Sequence, residues 1–187
     1  MCLKIETTRG EDVMLTKIIQ TYWQICRLQL TPAKTPNNTM LTGIFVLGYV
    51  FIKLIQFMVM PKLPSDQSFQ MLRQLIVITI ALLGYTYVIL YINQLLDRFV
   101  RTVNCLFACS IFIEVITLPI IMLLPHTPPS ETTSISGPAA AAQLTAFFVL
   151  FVLAVWQIVI NVFIYQQSLS ITQGRAFLVW LGLIATQ

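Results

Sequence analysis

The chain has 187 residues, 57% of them hydrophobic and 10% charged, with a formal charge of +4. A soluble domain carries about 25% charged residues, so a chain this apolar cannot clothe itself in water and falls outside the ordinary soluble class. Its Lys and Arg residues are scattered singly, without the aromatic-interleaved basic stripe of a nucleic-acid binder, and nucleic acid is not expected as a partner.

Residues 1–39 are expected to form a cytoplasmic arm and residues 40–187 a transmembrane helix bundle. In the arm, Leu15, Ile18, Ile19, Tyr22, Trp23 and Cys26 follow helical spacing and make one apolar stripe. Glu11 and Asp12 precede it, where acidic groups suit the positive end of a helix dipole. The pattern predicts an amphipathic helix over Asp12–Leu30. Such a helix either lies on the membrane surface or packs on the end of the bundle, and both readings stay open. Thr31–Asn38 holds Pro32 and Pro36 and reads as a turn. Asn37-Asn38-Thr39 matches a glycosylation sequon that a cytoplasmic position would leave unmodified.

Four apolar stretches follow, at about 40–60, 72–92, 103–124 and 139–164. Each approaches the ~20 residues that cross a ~30 Å hydrocarbon core. A fifth stretch, 176–186, offers roughly half of that length, and a start at Ser168 would extend it. It is expected as a fifth crossing, with a re-entrant or interfacial helix as the alternatives. The fold class is therefore an all-α polytopic bundle of four to five spans headed by an amphipathic helix. The first forty residues hold charges throughout, so the first span is expected to act as an uncleaved insertion signal.

Orientation follows from the basic residues. With five spans, Lys4, Arg9, Lys17, Arg27, Lys34, Arg98, Arg101 and Arg175 share one side, and Lys62 and Arg73 the other. That bias puts the N-terminus in the cytoplasm and the loop 125–138 outside. The compact layout points to a bacterial inner membrane, with an organelle membrane as the alternative.

Two charges fall inside spans, Lys53 in the first and Glu114 in the third. A lone charge at the bilayer centre costs about 3 kcal/mol on insertion scales, so such residues pair, face a cavity or snorkel. Both spans run outward, and each residue lies roughly 16–20 Å deep at 1.5 Å per residue. An ion pair is possible if the two spans touch. Its functional reading is an ion- or proton-coupled site, or a charge that recruits a partner's span; its structural reading is a pair that fixes helix register. Gln157 and Asn161 are four apart on the fourth span and are candidates for hydrogen bonds across helices. Pro119 should kink the third span.

The four cysteines form no CxxC, and the chain has one histidine, so neither a zinc site nor a haem ligand pair is expected. Cys105 and Cys109 share a helix face and read as small packing residues. A hydrolase would have to use His126 beside Ser130 and Glu131 in a Pro-rich loop, with nothing to orient them. No glycine pattern for nucleotides occurs. No catalytic, cofactor-binding or metal residue is assigned.

The arm leads into the first span through Arg27-Leu28-Gln29-Leu30-Thr31-Pro32, the layout has five apparent spans with short hairpins, and Ser168-Leu169-Ser170-Ile171-Thr172-Gln173-Gly174-Arg175-Ala176 enters a short last span. Together these resemble the Yip-domain family (Ypt/Rab-interacting-protein-type), particularly its bacterial members, over the layout of most of the chain. The resemblance implies a non-enzymatic adaptor role, as in the family's eukaryotic members in membrane trafficking, and carries over no site residue. The expected function is a non-enzymatic membrane protein that binds the bilayer and either other membrane proteins or itself. The alternative is a small transporter or channel component built on Lys53 and Glu114.

Overall fold

In hydrocarbon every backbone N–H and C=O must be satisfied within the chain, and for single apolar runs the α-helix is what achieves this. The computed structural model describes residues 6–59, 65–123 and 138–185, and among these the regular elements are all helical. They are α1 (Glu6–Cys26), α2 (Thr39–Val59), α3 (Ser65–Ile92), α4 (Phe99–Leu123), α5 (Pro138–Leu169) and α6 (Gln173–Ala185), with short 3-10 turns at Pro32–Lys34 and Leu96–Arg98. The helices α2 to α5 are long and apolar enough to cross a membrane. The chain is thus an integral membrane protein by shape and composition. The expected loop 125–138 lies almost wholly outside the described residues, as do Cys2, His126, Ser130 and Glu131.

Helix α6 departs from the full fifth crossing. Its 13 residues rise about 20 Å, two thirds of a ~30 Å core. It enters beside α5 at the end where α4 begins, and the phenol of Tyr85 on α3 donates to its Val179 carbonyl at 2.5 Å. Gly182 permits this approach, since a Cβ there would meet the Tyr85 oxygen.

The start of α4 is the hub. Every residue from Thr102 to Cys109 is buried, because α2, α5 and the end of α1 surround that stretch. Leu90, Ile160, Ile164, Tyr165 and Ala176 complete the core at the same level. The ends of α1, α3 and α5 and the starts of α2, α4 and α6 meet here, bringing Arg27, Lys34, Arg98, Arg101 and Arg175 to one end of the bundle. We call it the basic end. Away from it the helices part, and residues 141–159 of α5 include none that is buried. Lipid accepts such apolar surface without cost.

Helix α1 starts six residues before, and stops four residues before, the limits its apolar pattern suggested. Its expected single stripe divides in two. Tyr22, Ile25 and Cys26 are buried against α4 and α2, while Ile19 and Trp23 keep large exposed areas. Trp23 meets Phe112, and Cys26 shares a thiol hydrogen bond with Cys109. The last turn of α1 therefore runs antiparallel to α4 and packs on the bundle.

Three helix ends are closed by residues other than glycine in the left-handed region: Leu28 (φ 60°), Gln94 (φ 57°) and Ser170 (φ 54°). The bond pattern is a Schellman motif, with Gln94 N–H donating to Tyr91 O at 3.0 Å and Leu95 N–H to Leu90 O at 2.9 Å. A side chain in this region costs roughly 1–2 kcal/mol. Gln94 is exposed, so Gln94→Gly should raise thermal stability in detergent by about 1 kcal/mol. A lowered midpoint would mean that the Gln94 side chain holds the turn by contacts of its own.

Candidate functional site

Lys53 and Glu114 stand about 21 and 22 Å along their helices, counted from Thr39 and Phe99 at 1.5 Å per residue. Helices α2 and α4 run parallel with this register. Tyr49 meets Phe107 edge-on at 5.4 Å, and Gly48 brings the backbones close, since a Cβ there would sit 3.3 Å from the Ile111 side chain. One turn further on, Lys53 Nζ lies 2.5 Å from Glu114 Oε1. The structure therefore brings these two residues into one ion pair.

Gln56 completes the cluster. It is buried, and its amide donates to Glu114 Oε2 at 2.6 Å, while its own Oε1 accepts from Lys53 Nζ at 3.3 Å. Each group thereby meets the other two. The ammonium also stands 5.8 Å from the centre of the Tyr49 ring, close enough for a cation–π attraction. Sequence reasoning passed over Gln56, although its spacing of three from Lys53 puts both on one helix face.

The bundle does not seal this cluster. The side chains of Lys53 and Glu114 remain 29% and 20% exposed. Val115 and Ile116, next on α4, are exposed as well. Pro119 lies inside α4 and lacks an N–H, so the carbonyl of Val115, the residue after Glu114, loses its usual helical donor.

Gln157 and Asn161 form a second cluster between α4 and α5. The Gln157 amide donates to Ser110 Oγ at 3.1 Å and to Asn161 Oδ1 at 3.3 Å. Gln157 Oε1 is buried without a partner. No hydrogen bond joins this pair to Lys53 or Glu114 among the described residues, so the four candidate residues make two sites. Ser110 and Glu114 share a face of α4, four residues apart. Toward the basic end the seam continues with Thr102 and Ser168, whose hydroxyl oxygens lie 2.9 Å apart.

In chemical terms the first cluster is one amine and one carboxylate that neutralise each other, steadied by a neutral amide. It has neither a nucleophile with a base nor a set of metal ligands; among the described residues no group of three or more His, Cys, Asp or Glu could hold a metal. Compared with protein-family models, curated proteins and solved structures, the chain matches none of them.

Proposed function

We propose that this is a non-enzymatic multi-pass membrane protein whose work is association: a transmembrane helix of another membrane protein, carrying a polar side chain at matching depth, covers the Lys53–Gln56–Glu114 cluster. The observation that carries this reading is the residual exposure of the ion pair at mid-span, 29% and 20%. Charges at that depth are costly when they face hydrocarbon, and polar groups between membrane helices act as points of adhesion. A neighbouring helix removes the cost and gains a hydrogen bond. The Yip-domain-like layout and its adaptor role belong to the same proposal, as do a bacterial inner membrane and a basic end on the cytoplasmic side. The gathering of Arg27, Lys34, Arg98, Arg101 and Arg175 at one end supports that side by the positive-inside rule.

A photo-crosslinking amino acid at Val115 tests the reading in intact membranes. It should give a discrete protein adduct in the wild-type background, and the adduct should vanish when Lys53→Met and Glu114→Leu are introduced together. Labelling of lipid alone, or an adduct indifferent to the double substitution, rejects it.

A second reading, a transporter component, draws on the polar seam along α4, where Thr102, Ser110 and Glu114 follow at helical spacing from the basic end to mid-span. Uptake that needs Gln157 and Asn161 as well as the ion pair would favour it over association.

A further inference from the structure

At the basic end, between the 3-10 turn after α1, the start of α4 and the end of α5, lies a cavity of about 390 Å³. Arg98 and Arg101 line it, with Thr31, Ser168 and Ser170. Both guanidinium groups are pinned by the protein at one nitrogen. Arg98 Nη1 donates to the Ser168 carbonyl and to Ser170 Oγ, each at 3.1 Å, and Arg101 Nη1 donates to the Ala33 carbonyl at 3.3 Å. These acceptors are neutral, so neither positive charge is cancelled by them. A guanidinium has five N–H donors, so most remain unspent; Arg101 Nε is buried with no partner at all. The Ser170 hydroxyl accepts from Arg98 and keeps its own proton to give. Asp97 is the acidic residue of the lining, and it makes no ion pair with either arginine among the described residues. The cavity therefore carries a net positive charge and an excess of donors.

We propose that this cavity binds a phosphate group, presented either by an anionic lipid headgroup or as free phosphate. Guanidinium forks match phosphate oxygens in charge and geometry. The depth fits as well. The cavity sits where the long apolar helices begin and end, the level at which headgroups flank the hydrocarbon core, and basic pockets between membrane helices hold anionic headgroups. The proposal stands apart from the association reading, because it uses none of the Lys53 cluster.

The test is native mass spectrometry of the full chain in neutral detergent, titrated separately with dioleoyl phosphatidylglycerol, dioleoyl phosphatidylcholine and inorganic phosphate. Both lipids present a phosphodiester, but the choline cation of the zwitterionic one offsets its charge and is repelled by the two guanidinium groups, so the anionic lipid should bind about tenfold more tightly. Arg101→Gln should remove that preference. Because Arg101 also ties down Ala33, two milder variants guard against a folding defect. Thr31→Val deletes a donor that makes no cap bond and should weaken binding roughly threefold. Asp97→Asn deletes the opposing charge and should tighten it about threefold. Saturation by inorganic phosphate with the same variant pattern supports the site and assigns free phosphate to it. Binding of phosphatidylglycerol without a response to phosphate supports it and assigns the lipid. Equal binding of the two lipids with no response to phosphate, or an affinity unmoved by all three variants, overturns the proposal.

Discussion

Replacing Lys53 with Leu should cost about 3 kcal/mol of stability in detergent or bilayer, the insertion cost of a charge left without its counter-ion. The substitution leaves Glu114 charged at mid-span with only the Gln56 amide at 2.6 Å and its own Lys53 partner gone. Glu114→Leu should cost a similar amount, since it strands an ammonium whose remaining neighbours are the Gln56 oxygen and the Tyr49 ring. The two effects should not add. A pair replaced by apolar residues of similar size loses both the attraction and the desolvation cost, and such exchanges are near neutral in many proteins. Lys53→Leu with Glu114→Leu should therefore recover most of the loss and cost less than either single substitution, a non-additivity read directly in a double-mutant cycle. The part exposure of both side chains places the expectation at the lower end for buried pairs. Strict additivity, measured by equilibrium unfolding in mixed micelles, would show that the pair contributes nothing as a pair.

That pair was legible in the sequence for a simple reason: charges are so rare in apolar spans that two at matching depth nominate each other. The helices were legible for the related reason that hydrocarbon leaves the backbone few options. What escaped notice was marked by weaker signals. Gln56 differs from its neighbours by an amide that costs far less than a charge, so nothing flagged it before its partners were in place. The ends of α1, α3 and α5 lack the glycine that normally announces a left-handed cap, and Leu28, Gln94 and Ser170 take that conformation instead. The sequence reads the two faces of α1 as one because Ile19 and Trp23 are as apolar as Tyr22 and Cys26. In a membrane protein apolarity does not separate core from lipid-facing surface, and the division became visible only with α4 alongside. The same blindness applied to the hub itself. Val103 to Cys109 is no greasier than the outer part of α5, yet one is buried on all sides and the other is not buried at any residue from 141 to 159.

Tyr22 offers the sharpest probe of how the arm is held. Its ring is 1% exposed and meets Phe45 edge-on at 4.9 Å, which ties α1 to α2. Its hydroxyl, however, is buried without a hydrogen-bond partner. Burial first, and the nearby Cys105 and Cys109 thiols second, push the phenol above its ordinary titration range, so it stays neutral at any physiological pH. The ring and the hydroxyl should thus act in opposite directions. Tyr22→Ala removes a fully packed aromatic and should cost about 3–5 kcal/mol, the range for large aromatic truncations in cores. Because Tyr22, Ile25 and Cys26 are the buried residues of α1 among those whose side chains are described, that loss should appear first as release of the arm, read as faster amide exchange over residues 16–26 while α4 stays protected. Tyr22→Phe keeps the ring and deletes the orphan hydroxyl, whose desolvation costs about 1–3 kcal/mol when nothing compensates it. It should leave the arm docked and raise stability or leave it unchanged. A Phe variant that loosens the arm as the Ala variant does would mean that the hydroxyl, not the ring, holds α1 in place, and the account of the arm as an apolar clasp would have to be given up.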